Sequence, residues 1–420
     1  MIFKYILNMR HKFFLLHGKI RFFINAIFSL FILDSVDKNF KKVDVLFLCS
    51  DMDRALIKNG LLYSQILDPL VEMCANSGIS YECVTRPFSR FKTEGLFSRS
   101  KTINWSYAFY RKSFWRFFLD NKVAPRVIVG IGICHRLNRL ARLRGIVTVE
   151  LIHGFGLAKD DYIYGVSARK SRDCLMEPRC YITYDETTFG TLKGVSFDNG
   201  LVDVKLARHH FYDRSDLWNF DILSSTQKTI SKYKSVGYKF VVLVTLQHGY
   251  EGSRDFLKNI IPNGIIHPLL TECIKERTDF LWIIKPHPVQ LMRSDWRKTY
   301  RILCREFSGC HHVLIDDFIS ADIFAIFHFV DAHITMMSGS VVEAAMLKVP
   351  SLGLCPSLQG SMNTAFEVEE QQGLFIRGHL TRSSIFDFLD EVQKKMACNI
   401  NHCFSLYKNK SAFCYLEEYL

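Results

Sequence analysis

Proline, glycine and closely spaced cysteines are scarce in this sequence of 420 residues. The 10 prolines and 23 glycines are too few for a collagen-like or linker-dominated chain. The 13 cysteines are an odd number, and no two of them stand in a Cys-x-x-Cys pair. A disulfide framework or a zinc ribbon needs paired, closely spaced thiols, so we expect reduced cysteines in a cytosolic protein.

The chain is also short of acidic residues. Aspartate and glutamate number 42 against 54 lysines and arginines, which gives a formal net charge of +12. This excess predicts an anionic partner, which is a nucleotide, a nucleic acid or an acidic lipid. Hydrophobic residues make up 48% of the chain and charged residues 23%, a composition that excludes global disorder. The length favours two or three domains.

The basic amino-terminal segment, residues 1–42, has no apolar run long enough to cross a bilayer. Its longest run, residues 22–33, falls short of the ~20 residues that a membrane-spanning helix needs. Ser35-Val36-Asp37 is a poor cleavage site for a signal peptidase. We therefore predict a basic amphipathic segment that lies on an anionic membrane face. A first helix buried against the core is the alternative.

A second basic stretch, residues 86–126, interleaves ten lysines and arginines with aromatic residues. This composition also suits single-stranded nucleic acid. However, no RNP, KH, helix-turn-helix or zinc-finger pattern accompanies it. We therefore expect no nucleic-acid partner, and we interpret the stretch as a contact with the membrane or with a lipid-linked acceptor.

From residue 43 onward, apolar runs of strand length alternate with segments of helix length. The predicted strands are residues 43–48, 79–84, 126–130, 146–152 and 181–184, and then 240–246, 280–284, 312–315, 332–336 and 350–354. Such runs are typical of parallel sheets with helices on both faces. We predict two tandem Rossmann-like doubly wound α/β domains with a cleft between them.

A polar region without a clear strand, residues 213–239, marks the predicted domain boundary. We place the first Rossmann-like domain at residues 43–225 and the second at residues 226–395. Residues 396–420 are predicted to form a carboxyl-terminal helix.

Four predicted strands end in residues suited to binding, and ligands of doubly wound sheets bind beyond the carboxyl ends of the strands. These strand ends carry His153-Gly154, Gln247-His248, Lys285-Pro286-His287-Pro288 and Ser338-Gly339-Ser340. Purely structural alternatives are a polar strand cap for His153 and a surface-loop histidine for His248.

The segment from Ser338 to Glu343 has the properties of an anion site. Small residues let a helix amino terminus approach a phosphate, and hydroxyls and amides donate hydrogen bonds to it. Glu343 falls on the first helical turn, where it could meet the hydroxyls of a ribose. The alternative is a well-capped helix in which Ser340 and Glu343 form a capping box.

Two prolines fix the backbone on either side of His287 and exclude a regular helix or central strand there. A rigid turn that holds Lys285 beside an imidazole suits a diphosphate or a leaving phosphate, although a histidine satisfied within the turn is the alternative. We predict no metal site. The adjacent pairs His209-His210 and His311-His312 would point their side chains apart on a strand.

These motifs resemble the GT-B glycosyltransferases of bacterial surface-polysaccharide synthesis. The likeness rests on His153-Gly154, on "KPHP" at residues 285–288 and on "SGSVVEAAMLKVP" at residues 338–350, and it spans roughly residues 43–395. The most similar members are capsule-type transferases, including the polysialyltransferases, the Kdo transferases and the glycerophosphotransferases of wall teichoic acid.

The resemblance implies a role for each matching residue. His287 would stabilise the leaving phosphate, Glu343 would bind the donor ribose, and His153 would be the general base. The first domain would bind the acceptor and the second the donor. The predicted donor-binding residues are Lys285, Gln247, His248, Ser338, Gly339, Ser340 and Glu343.

The predicted reaction moves a sugar from a nucleotide-activated donor, CMP- or UDP-linked, to a lipid-linked or growing polysaccharide. A base must deprotonate the acceptor, and positive charge must stabilise the departing phosphate. Lys285 and His287 could replace a metal, so we expect a metal-independent enzyme without a cofactor. The other candidate bases are Glu150, Asp160 and Asp185.

Two other functions compete with glycosyl transfer. A sugar-nucleotide epimerase shares the architecture but needs acids flanking the sugar, and a non-catalytic membrane-tethered assembly protein could keep the sheets without activity. Under the glycosyltransferase hypothesis, the protein is expected in the cytoplasm, peripheral on the inner face of the plasma membrane.

Overall fold

The computed structural model describes residues 41–50, 56–58, 61–86, 112–152, 174–194, 201–213, 216–247, 260–292, 296–319, 321–360, 365–397 and 409–420. Several predicted features lie outside these residues. They are residues 1–40 of the amino-terminal segment, residues 87–111 of the second basic stretch, and the side chains of His153, Asp160 and His248.

The first domain is built on a six-stranded parallel sheet in the order β4-β1-β5-β6-β7-β8. Its strands are β1 Lys41–Ser50, β4 Tyr81–Arg86, β5 Val123–Gly130, β6 Val147–Leu151, β7 Cys180–Thr183 and β8 Asp203–Leu206. Strands β2 Leu56–Lys58 and β3 Leu61–Tyr63 form a separate antiparallel pair. The helices are α1 Leu67–Asn76, α2 Lys112–Asn121, α3 His135–Arg142 and α4 Glu186–Lys193.

Side chains of β1 alternate between two hydrophobic layers, as the two-residue period of a strand requires. Val45 and Phe47 face one layer, and Leu46 and Leu48 face the other. Both faces of this sheet are therefore covered, which is why its inner strands appear in the sequence as unbroken apolar runs.

Helix α2 contains the described aromatic residues of the second basic stretch. Trp115 and Phe118 are buried in the core of the first domain, whereas Phe117 and Arg116 face outward. For these two buried rings, the interpretation as a membrane or acceptor contact is wrong. Their bulk packs the helix on the sheet.

A short connection leads from β8 to helix α5, Asp216–Lys234. Helix α5 contributes Ile230, Leu223 and Tyr233 to a hydrophobic layer of the second sheet. The predicted boundary between residues 225 and 226 falls within this single helix. The helix was not predicted, because its polar sequence lacks a clear hydrophobic pattern.

The second domain repeats the architecture, with a parallel sheet in the order β11-β10-β9-β12-β13-β14. Its strands are β9 Val241–Thr245, β10 Leu281–Lys285, β11 Val313–Leu314, β12 Ala332–Thr335, β13 Ser351–Gly353 and β14 Phe375–Arg377. Its helices are α6 Pro268–Glu276, α7 Pro288–Met292, α8 Trp296–Glu306, α9 Ile323–Phe327, α10 Ser340–Met346, α11 Glu367–Gln371 and α12 Arg382–Ala397. The predicted fold, two tandem doubly wound α/β domains, is confirmed.

Both sheets reverse their strand order once. The chain builds β1 and β4 on one side of the first sheet and then β5 to β8 on the other. In the second sheet the reversal lies between β9 and β12. Adjacent strands whose following connections run in opposite directions leave a crevice at their carboxyl ends, where such sheets bind ligands.

The end of the chain returns to the first domain. Helix α13, Ala412–Glu417, places Phe413 and Leu416 in a hydrophobic layer of the first sheet. The backbone oxygen of Lys410 accepts a hydrogen bond from the amide of Arg208. Of the predicted carboxyl-terminal helix, residues 396–397 belong to the end of α12, residues 412–417 form α13, and residues 398–408 lie outside the described residues. Helix α13 packs on the first domain.

None of the helices described combines the length and the apolar character needed to cross a bilayer. Ten of the eleven cysteines among the described residues are free thiols. Burial raises the pKa of the Cys74 thiol to about 12.

We predict that Leu416→Ala lowers the free energy of unfolding of the first domain by about 2–4 kcal/mol, because Leu416 is 1% exposed and its loss leaves a cavity. Urea denaturation followed by circular dichroism measures this change. The neighbouring exposed residue provides the control, and Glu417→Ala should change stability by less than about 0.5 kcal/mol. Equal losses in both variants would contradict the docking of α13.

Candidate functional site

The crevice of the second sheet lies where β9 and β12 pair side by side, with Thr245 opposite Thr335. Two residues beyond β9, the side chain of Gln247 bonds to the backbone of Met337. Its Oε1 accepts from the Met337 amide at 2.7 Å, and its Nε2 donates to the Met337 carbonyl oxygen. Gln247, predicted to bind the donor, therefore holds the start of the Ser338–Ser340 turn.

A buried polar network lies beneath this turn. The ring of His333 contacts the Thr245 hydroxyl at 2.9 Å through Nε2 and the Ser351 hydroxyl at 2.9 Å through Nδ1. The Ser340 hydroxyl lies 3.2 Å from that of Thr245 and 3.4 Å from the imidazole. Burial lowers the pKa of His333 to about 3, so its ring is neutral at physiological pH.

The Ser340 hydroxyl therefore faces the protein interior. Ser340 is the first residue of α10, and the N-cap position is occupied by Gly339, which has no side chain to cap the helix. The capping-box alternative is consequently wrong. The backbone amide of Ser340 contacts the hydroxyl of Ser338 at 3.3 Å, and Ser338 and Gly339 are only partly buried.

Lys285 is the last residue of β10, the neighbour of β9, and His287 lies two residues beyond it. The Lys285 ammonium is buried and donates to the carbonyl oxygen of Ile319 at 2.7 Å. Burial lowers the pKa of Lys285 to about 8, against a smaller opposing effect of the Asp322 charge. His287 is half-buried, and its amide donates to Oε1 of Gln290 at 2.8 Å, which fixes the turn between the prolines.

Carboxyl groups from both domains meet at the domain boundary. Asp185 follows β7 and caps α4 by accepting from the Thr188 amide at 2.8 Å. Glu369 of α11 packs close to the start of α4. Burial raises the pKa of Glu369 to about 7, and the charges of Asp185 and Glu186 add to this rise. Glu150, another candidate base, is buried on β6.

Two histidines and a glutamate form a second cluster at the boundary. His209 and His210 follow β8, and their ring centroids lie 4.0 Å apart. The Nε2 atom of His209 lies 3.5 Å from Oε1 of Glu343 on α10, and all three side chains are buried. The prediction that this histidine pair points apart is wrong, because the pair enters a 3-10 turn, His210–Asp213, rather than a strand.

The 3-10 turn is held in place by charge. The guanidinium of Arg208 donates to Oδ1 of Asp213 at 2.7 Å, and the amide of Ala412 donates to the same carboxylate. Burial raises the pKa of Asp213, while Arg208 and the ring of His209 oppose the rise. Helix α13 and the first domain thus fix the backbone that presents both histidines.

The structure brings together Gln247, Lys285, His287 and the Ser338–Ser340 turn at the carboxyl edge of three neighbouring strands, β10, β9 and β12. The carboxylate of Glu343 does not face this edge group. It is 6% exposed and turned to His209. The roles predicted for these residues in donor binding stay predictions, as does that of His153 as base.

Sugar-nucleotide enzymes of known structure share this fold over most of their length. The UDP-GlcNAc 2-epimerase from Methanocaldococcus jannaschii, in complex with UDP-GlcNAc and UDP, aligns with a TM-score of 0.56 and 15% identity, over 90% of this chain and 99% of that one. The Neisseria meningitidis enzyme bound to UDP-GlcNAc gives a TM-score of 0.51 and 15% identity, again over 90% and 99%. The Rickettsia bellii enzyme gives 0.52 and 14%, over 89% and 93%.

No family model and no curated protein sequence matches the chain. At 14–15% identity, the structural likeness establishes the fold alone. It agrees with the predicted GT-B-like architecture, while the finer resemblance to polysialyltransferases, Kdo transferases and teichoic-acid enzymes stays a prediction.

We predict that the buried Lys285 makes the free energy of unfolding rise with pH in the alkaline range. Its pKa is about 8 in the folded chain against 10.5 ordinarily, so between these values the unfolded chain binds more protons and stability rises with pH. Relative to Lys285→Met, the wild type should gain about 3 kcal/mol from pH 8 to 10.5.

Denaturant midpoints at a series of pH values measure this difference. The exposed Lys394→Met variant is the control, and its stability should follow the wild-type curve throughout. A constant difference between wild type and Lys285→Met across this range would show that the amine is charged and stabilised in the fold.

Proposed function

We propose that this chain binds a nucleotide-sugar at the carboxyl ends of β9, β10 and β12 and acts on it as an enzyme. The observation that carries the proposal is the reversal of strand order between β9 and β12, with Gln247 locked to Met337 at the mouth of the crevice. Crevices of this kind are the preferred ligand sites of doubly wound sheets.

The chemistry of this edge suits a diphosphate. His287, Ser338 and Gly339 are partly exposed there, and an imidazole, a hydroxyl and backbone amides can donate to phosphate oxygens. The buried amine of Lys285 stands at the carboxyl end of β10, and burial lowers the dielectric through which its charge acts. The net charge of +12 attracts an anionic substrate to the protein.

Epimerisation of the sugar is the first candidate reaction. The three structures described above share the fold over both domains and are of UDP-GlcNAc 2-epimerases, and two of them hold UDP-GlcNAc. Inverting a carbon centre needs one group that removes a proton and another that returns it. Asp185 from the first domain and Glu369 from the second are candidates, because the pKa of Glu369, at about 7, lets it act as an acid at neutral pH.

Glycosyl transfer is the second candidate, and the residues at 285–288 and 338–350 favour it, because the resemblance to GT-B transferases rests on them. In this reaction His153 would be the base, and the acceptor would be lipid-linked. Residues 1–42 would hold the protein to an anionic inner membrane face. Sedimentation with acidic and neutral vesicles tests that part, with salt-sensitive binding to acidic vesicles alone as the expected result.

We predict that Gln247→Ala weakens UDP-GlcNAc binding by about tenfold or more, because the freed Met337 backbone loses two hydrogen bonds worth about 1 kcal/mol each. Isothermal titration calorimetry measures the affinity. Asn121→Ala is the matched control, since the Asn121 amide also donates to a backbone oxygen, that of Phe117, but on helix α2 of the first domain. Equal weakening in both variants, or no binding of UDP-, CMP- or CDP-sugars by the wild type, would refute the site.

We predict that UDP-GlcNAc incubated with the protein in deuterium oxide gains deuterium at carbon 2 of the sugar, as detected by proton NMR. Asp185→Asn should slow this exchange by about a hundredfold or more while keeping substrate affinity, since asparagine still caps α4. Asp203→Asn is the control, because Asp203 begins β8 and lies at the amino-terminal end of the parallel strands, whereas Asp185 follows the carboxyl end of β7. Transfer of the sugar to an acceptor without exchange would instead select the second candidate.

A further inference from the structure

We propose that His209, His210 and Glu343 bind a divalent transition metal ion at the boundary between the two domains. Both histidines follow the last strand of the first sheet, and Glu343 lies on α10 of the second domain. One nitrogen from each ring and one carboxylate oxygen all lie within 4.8 Å of one another. The three residues are 3%, 1% and 5% exposed.

The distance between His209 and Glu343 favours an ion over a direct hydrogen bond. Nε2 of His209 and Oε1 of Glu343 lie 3.5 Å apart. A charge-assisted hydrogen bond between nitrogen and carboxylate would bring them to ~2.7–2.9 Å. Two ligands bound at ~2.1 Å to a tetrahedral ion lie ~3.4 Å apart. The observed separation of this pair therefore fits two ligands on one ion.

Neighbouring rings fix the orientation of both imidazoles. Phe324 stacks on His209 with centroids 4.3 Å apart, and Tyr184 meets His210 edge-on at 5.5 Å. Groups that hold a metal-binding histidine in place raise the affinity of its site. The ligands are thus presented before an ion arrives.

The donor set selects the class of ion. Two imidazoles and one carboxylate suit Zn²⁺ and the related ions Co²⁺ and Fe²⁺. Mg²⁺ and Ca²⁺ prefer oxygen ligands alone. Only one of the three ligands is negative, and the buried carboxylate of Asp213 is paired with the guanidinium of Arg208.

A bound ion would join the two domains, because its ligands come from both. It would also occupy the Glu343 carboxylate, so the glutamate would not be available to a ribose while the ion is held. The ion site does not depend on whether the crevice supports epimerisation or glycosyl transfer, but it excludes the ribose contact predicted for Glu343.

The test uses the full chain, first stripped with a chelator, and Zn²⁺ or Co²⁺ as the probe. Equilibrium dialysis with elemental analysis should find about one Zn²⁺ per chain that resists washing. Co²⁺ should give visible bands of a four-coordinate site without the near-ultraviolet band of a thiolate ligand. Glu343→Gln and His210→Ala should each lower the affinity by more than the ~10–100-fold that loss of an outer partner costs.

The other adjacent histidine pair is the matched control. His311 is exposed, and His311→Ala should bind Zn²⁺ as the wild type does. Circular dichroism checks the fold of each variant, and if Glu343→Gln fails to fold, His210→Gln replaces it. A wild type that retains no Zn²⁺, a thiolate band with Co²⁺, or undiminished Zn²⁺ affinity in folded Glu343 and His210 variants would each overturn the proposal.

Discussion

The side-by-side pairing of β9 and β12 is the contact on which the candidate site depends. Residues 242–245 run in register with residues 332–335, so both strands end at the same level. The chain leaves β9 toward one side of the sheet and β12 toward the other, which opens the crevice between them. Gln247 then reaches Met337 across the gap and sets the position of the turn that follows.

The polar network under that turn makes the register specific. The His333 imidazole joins Thr245 of β9 to Ser351 of β13, with the hydroxyl of Ser340 beside it. A buried polar network destabilises a fold unless its members are satisfied, and then it favours one arrangement over others. A slip of one residue would turn His333 away from both hydroxyls. The network therefore ties the start of α10 to three strands.

The sequence predicted most strands because both sheets are buried on two faces, which produces unbroken apolar runs. It missed the short antiparallel pair β2-β3, the edge strand β8, whose residues are all only partly buried, and the short strand β14. The strand ends at Lys285 and Ser338 were predictable because the ligand edge of a doubly wound sheet follows from topology.

The contacts within and around the site could not be predicted from the sequence. Gln247 and Met337 are 90 residues apart, and His209 meets Glu343 only because two domains pack together. The histidine pair was assigned to a strand, where side chains alternate, but it lies at the start of a 3-10 turn that brings the rings together. The sequence shows that the two histidines are adjacent, but it does not show that both rings approach Glu343.

A crystal structure of the full chain with UDP-GlcNAc bound would test the central claim most directly. We expect density for the diphosphate at the carboxyl ends of β9 and β12, within hydrogen-bonding distance of the Ser338–Ser340 turn and of His287. Density for the nucleotide at the first sheet alone, or at the opposite edge of the second sheet, would contradict it.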